Sequence, residues 1–163
     1  WLFVMYAKVG PDGSEIHQKG LGIVDIFNTD GTFVKRFATG GTLNSPWGVT
    51  ATPANFLEDQ DMMQDEDQGS KNGSGKNNKG NDDQNNQPLI LVGNFGDGHI
   101  NAYSMEGDFL GQLQTHNRTI VIEGLWALSF APATATAIDP KRLYFTAGPK
   151  DETCGLLGYL IKE

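Results

Sequence analysis

Cysteine is nearly absent. Of 163 residues only Cys154 carries a thiol, so neither an internal disulfide framework nor a zinc site built on several cysteines can form within the chain. A single thiol is either a small buried hydrophobe or a reactive group, and burial is the expectation here. Long apolar runs are missing as well: no segment approaches the roughly 20 residues of a membrane-spanning helix. Basic residues are scarce, with 12 Lys and Arg against 20 Asp and Glu for a formal charge of −8. Without a basic cluster to neutralise phosphates, nucleic acid is not an expected partner. No stretch has a helical period. The chain opens on Trp1 with no charged leader or cleavage-like stretch, from which any signal peptide is expected to be already absent and the chain to be processed or cut.

The acidity is local. Residues 58–87 hold eight acids (Glu58, Asp59, Asp61, Asp65, Glu66, Asp67, Asp82 and Asp83) against Lys71, Lys76 and Lys79, with Met62 and Met63 as their only apolar side chains. Such a composition cannot bury enough surface to offset the entropy of ordering, so 57–87 is expected to be a disordered Asn/Asp/Gln-rich insertion. It divides the chain into 1–56 and 88–163.

Outside the insertion the sequence repeats itself. "GIVDIFNTDGTFVKRF" (22–37) lies without gaps over "GHINAYSMEGDFLGQL" (98–113), an offset of 76 that matches Phe27 with Tyr103, Gly31 with Gly107 and Phe33 with Phe109. "SPWGVTATP" (45–53) corresponds to "GLWALSFAP" (124–132), with Trp47 and Trp126 at the same place. A third phrase recurs as "LFVMYA" from Leu2, "LILVGN" from Leu89 and "LYFTAG" from Leu143. The phrases keep one order, as repeat architectures require.

Each phrase has the pattern of a strand. Val24 and Ile26 alternate with Asp25 and Phe27, as Ile100 and Ala102 do with Asn101 and Tyr103, giving the two-residue period of a sheet. Asp30-Gly31 and Glu106-Gly107 fall between such runs, where glycine supplies the positive φ of a tight hairpin. The continuous apolar runs from Leu2 and Leu89 predict strands covered on both faces. Strands are therefore expected at 2–7, 22–28, 32–38, 46–52, 89–94, 99–104, 108–114, 124–131, 143–147 and 155–161. A four-strand cycle repeated in fixed order predicts an all-β fold, a partial β-propeller in preference to a β-sandwich.

The combination "LNSPWG", "LVGNFGDGHINAY", "GDFLGQL", "IEGLWAL" and "LYFTAGPKDE" resembles NHL-type propeller blades. It is most similar to an uncharacterised family of secreted or surface bacterial propellers, some with a C-terminal sorting signal. The resemblance spans nearly the whole chain outside the insertion. It implies about two and a half four-stranded blades of a ring of about six. Residues 1–56 would be a partial blade plus the inner strand of the next, and 88–163 the remainder of that central blade plus a partial third. It also implies an extracellular or cell-surface location. The partners expected are the missing blades, another subunit or a second copy along exposed strand edges, and a glycan is a candidate ligand.

In such a blade the connections 7–21, 38–45, 94–98, 114–123 and 148–155 open on one face. Propellers bind ligands near the channel mouth, where several blades converge. The candidate ligand-binding residues there are Trp47, Trp126, Asn94, Asp97 and His116, with His99, Asp151 and Glu152 as further polar neighbours. Packing between blades is the competing role for the tryptophans, and an Asx-turn contact the competing role for Asp97. Asp97 with backbone carbonyls is a candidate calcium site, since hard cations take oxygen ligands.

Other chemistries lack their motifs. Gly93, Gly96 and Gly98 do not have dinucleotide spacing, and no helix follows to bind phosphate. "SKNGSGKN" (70–77) departs from a P-loop at its first and last positions, and the segment from Asp65 has Lys76 where an EF-hand needs Glu. His17, His99 and His116 lack metal-ligand spacing, and no nucleophile elbow occurs. No catalytic residue is assigned. The expected function is non-catalytic recognition of protein or glycan. The competing class is a fragment of a propeller enzyme of hydrolase, lactonase or lyase type with an axial metal. Asn72-Gly-Ser74 and Asn117-Arg-Thr119 fit the N-glycosylation sequon.

Overall fold

The computed structural model describes residues 1–53 and 87–161. The insertion expected at 57–87, the sequon at Asn72 and the P-loop-like stretch lie outside the described residues, apart from Gln87. Among the described residues the chain is all β, built of antiparallel strands. Sheet I pairs β1 (Leu2–Tyr6), β2 (Ile23–Phe27) and β3 (Phe33–Thr39) in that order. Sheet II runs β4 (Pro46–Ala51), β5 (Ile90–Asn94), β6 (Ile100–Tyr103) and β7 (Phe109–Gln112). A small hairpin follows, β8 (Gln114–Thr115) with β9 (Arg118–Thr119). Sheet III pairs β10 (Leu125–Phe130), β11 (Leu143–Ala147) and β12 (Leu156–Leu160).

The repeated hairpins adopt the same structure. Asp25 opposes Arg36 across β2–β3, and Asn101 opposes Gln112 across β6–β7, each residue displaced by the sequence offset. Arg36 Nε donates to Asp25 Oδ1 at 2.5 Å, and Gln112 Nε2 donates to Asn101 Oδ1 at 3.0 Å. Phe27 meets Phe33 edge-to-face with ring centroids 5.6 Å apart, and Tyr103 meets Phe109 at 5.7 Å. Gly31 and Gly107 close the two turns at φ of 87° and 105°. In the first turn Asp30 accepts from the Thr32 hydroxyl and amide, which hold its carboxyl below the usual range.

Sheet II is the shared middle layer. Alternation along β5 turns Ile90 and Val92 toward sheet I, where they pack with Val24, Ile26 and Phe37. It turns Leu89 and Leu91 toward sheet III, where they pack with Leu125, Leu128 and Leu143. β5 is consequently buried along its whole length, as its continuous apolar run predicts. The run in β1 does not behave this way: Leu2 and Tyr6 are exposed, because among the described residues none covers the outer face of sheet I. Glycine brings II and III together. A Cβ on Gly48 would stand 2.9 Å from the Trp126 carbonyl oxygen, and one on Gly93 would stand 2.7 Å from Leu125 Cδ2.

The pairing corrects the alignment of the third phrase by one residue. Met5 opposes Val24 as Gly93 opposes Ile100, and Leu143 opposes Leu160 as Ile90 opposes Tyr103. Leu2, Ile90 and Leu143 are therefore equivalent, in place of Leu2, Leu89 and Leu143. Since side chains alternate, a slip of one exchanges the two faces of the strand.

Candidate functional site

The loops between strands are joined at one end of the sheets. Gly20 N donates to Leu43 O, Ser45 Oγ to Ile16 O, Gly96 N to Asn44 O, and Ile122 N to Gly98 O. The last bond brings the segment following hairpin β8–β9 against the loop that follows β5.

Asn94 anchors this end. It closes β5, is fully buried, and spends its amide on the chain segment entering sheet II. Its Nδ2 donates to Thr42 O at 2.8 Å and to Asp97 Oδ1 at 3.0 Å, while its Oδ1 accepts from Asn44 N at 3.1 Å. Asp97 Oδ1 accepts from His99 N at 3.2 Å, the Asx-turn contact, and lies 3.1 Å from His99 Nδ1. Its Oδ2 accepts from Asn44 Nδ2 at 3.2 Å. Both carboxylate oxygens are engaged by protein donors, and a cation at Asp97 would have to displace some of them. Gly98 ends the turn at φ 71° with its Cα face against the Ile122 backbone.

An aromatic row borders the polar cluster. Phe95 meets Trp47 edge-to-face at 4.9 Å and His17 edge-to-face at 5.2 Å. Trp47 is held out by a bulge: the ladder to β5 steps from Pro46–Asn94 to Gly48–Gly93 and passes over it. Trp126 occupies the same position in sheet III, where the ladder steps from Leu125–Ala147 to Ala127–Thr146. Its ring lies over Gly148, the equivalent of Phe95 once the phrase is aligned through the pairing. Trp126 Nε1 donates to Glu152 Oε1 at 2.8 Å. Glu152 stands in a turn whose residues Lys150, Asp151 and Glu152 all have left-handed φ.

Of the residues singled out in the sequence, the structure thus joins Asn94 directly to Asp97 and His99, and Trp47 to them through its neighbour Phe95. Trp126 and Glu152 form a separate pair on sheet III. His116 tips hairpin β8–β9 at φ 49°, with Nδ1 3.0 Å from Thr115 Oγ1. His17, Thr42, Asn44 and Phe95 belong to the cluster and were not foreseen. Asn44 sits two residues before the "PWG" phrase, which is the one local signal that could have pointed to it. Cys154, expected to be buried, is exposed: it follows the left-handed turn at 150–152, in the connection between β11 and β12.

No family model and no solved structure matches the chain. It is similar to uncharacterized proteins L690 and R648 of Acanthamoeba polyphaga mimivirus, each 32% identical over the full chain. A third protein of that virus, R640, is 29% identical over 90% of the chain. The chain covers 36%, 34% and 22% of these three proteins, about a third or less of the length of the curated relatives it matches.

Proposed function

We propose that the three sheets are successive NHL-like blades of a β-propeller, and that this segment is a non-catalytic scaffold recognising protein or glycan in the extracellular space or at the cell surface. The observation that carries this reading is the bulged tryptophan on the first strand of a quartet, present in both β4 and β10. Sheet II contains the whole quartet, sheet I its last three strands and sheet III its first three. Repetition of one unit with each face packed on the next is the pattern of propellers.

The recognition surface belongs at the end bordered by Trp47, Phe95 and His17 above the Asn94–Asp97 cluster. Trp47 keeps 45% of its surface in solvent. An exposed indole beside fixed polar groups suits a ligand with one apolar face and a polar edge, such as a sugar ring. Glycan-array binding followed by titration tests this. Trp47→Ala is expected to lower affinity for a hit at least tenfold while leaving the thermal midpoint nearly unchanged. Unaltered affinity, or no binding to any glycan or protein probe, counts against recognition at this end.

A further inference from the structure

The two bulged tryptophans stand side by side. Gly48, the residue after Trp47, faces its own counterpart where sheets II and III meet: a Cβ on Gly48 would lie 3.2 Å from the Cα of Ala127, the residue after Trp126. Gly48 puts no side chain between the first strands of the two sheets, so the indoles that precede Gly48 and Ala127 leave neighbouring strands at the same end. Their attitudes differ, because the residue beneath each differs. Phe95 meets Trp47 edge-to-face, whereas its counterpart at Trp126 is Gly148, where a Cβ would stand 2.8 Å from Trp126 Cε2. Without that Cβ the Trp126 indole settles on the Gly148 backbone. Its N–H is spent on Glu152, and the ring is only half-buried, so its second face is what it has left to offer.

Lys150, Asp151 and Glu152 are three successive non-glycine residues with φ of 57°, 53° and 60°, a conformation that the Cβ of each disfavours. The surroundings impose it. Lys150 N donates to Glu123 Oε1 at 2.9 Å, Glu152 N to Gly148 O at 3.1 Å and Thr153 Oγ1 to Lys150 O at 2.6 Å. Backbone strain held in this way clusters at ligand clamps, and here its product is an exposed carboxylate fixed at the edge of an indole. A ring face to stack on and a carboxylate to accept from hydroxyls are the two groups that grip a sugar. Glu123, Asp151 and Glu152 outnumber Lys150 around the pair, a balance that repels anionic ligands. Resting on the reading of Trp47 as a recognition residue, we propose that Trp126 and Glu152 form a second sugar subsite beside it. The ligand of this end is then an oligosaccharide of two or more rings, one on each indole, that carries no acidic group.

The test is an array of defined oligosaccharides of about one to six rings, uncharged, amine-bearing and acidic, followed by calorimetric titration of the tightest binder. A chain of two or more rings without acidic groups is expected to bind, at least tenfold more tightly than its own single-ring unit. Trp126→Ala and Glu152→Gln are each expected to lower affinity for the chain at least tenfold. Both are expected to leave affinity for the single ring, seated on Trp47, within about twofold of wild type, an outcome that loss of folding would not produce. A single ring that binds as tightly as the chain, a preference for acidic chains, or a Trp126→Ala protein that binds the chain like wild type overturns the second subsite while Trp47→Ala still loses affinity. If no sugar of the array binds, or if Trp47→Ala binds undiminished, glycan recognition at this end fails and the subsite fails with it.

Discussion

At the scale of single residues, the described structure depends on a few positions where backbone and side chain leave no tolerance. Gly98 has a left-handed φ and its Cα faces the Ile122 backbone. Gly98→Ala combines an unfavourable conformation with a backbone clash, and a loss of about 3 kcal/mol in urea unfolding is expected. Asn94→Leu keeps the volume but strands Asn44 N and Thr42 O, and should cost about 2–4 kcal/mol by the same measurement. Tyr103 is titratable and in the core. Burial pushes its phenol above the ordinary value of about 10, with Thr42 as a smaller opposing influence. A folded-state value above the unfolded one gives stability that is fully present below about pH 10 and is lost as pH climbs through the raised value. Alkaline unfolding followed by circular dichroism should show this loss, and Tyr103→Phe should shift the transition to higher pH. None of these roles could be seen locally in the sequence. Asn94 reaches a partner 50 residues away, and Tyr103 resembles any other aromatic of a strand until its neighbours from sheet I are in place.

At the scale of elements, the sequence is far more explicit. All ten expected strands occur, with ends that differ by a residue or two, because alternation and Asp-Gly turns are local signals. Hairpin β8–β9 escaped: its strands are two residues each and all polar, so they have no hydrophobic period. The one-residue slip in the third phrase has the opposite cause. Continuous apolar runs such as "LILVG" have no alternation to fix their phase, and only the pairing of Ile90 with Tyr103 settles it. The equivalence of the hairpins allows a test. Asn101→Asp alone places a charge at a fully buried position and should destabilise by about 3 kcal/mol. Adding Gln112→Arg imports the pair that Asp25 and Arg36 form at the matching place in sheet I. It should recover at least about 1 kcal/mol, measured as a coupling energy in a double-mutant cycle.

At the scale of the whole molecule, sheet II ties the described chain into one unit, since its two faces contribute to both cores. Leu128→Ala, which removes buried volume between II and III, should cost about 2–5 kcal/mol. It should still unfold in a single transition by calorimetry, because loss of sheet III uncovers half of sheet II. Two separated transitions would show that I and III are independent of one another. The stacking order of the sheets could be anticipated from the order of the phrases. The exposure at the ends of the stack could not, because the same apolar pattern serves for a covered face and an open one.

The strand ends that flank residues 54–86 are fastened to each other: Thr52 N donates to Leu89 O and Leu89 N donates to Thr52 Oγ1, both at 2.8 Å. The ladder between β4 and β5 is thus sealed on the sheet side of that segment, whatever its length. Each halving of a connecting loop recovers about 0.6 kcal/mol, so exchanging 54–86 for Asn-Gly should raise stability by about 2 kcal/mol in urea unfolding. The junction is a natural splice point, where the connecting sequence can be exchanged while the Thr52–Leu89 pair keeps β4 and β5 in register.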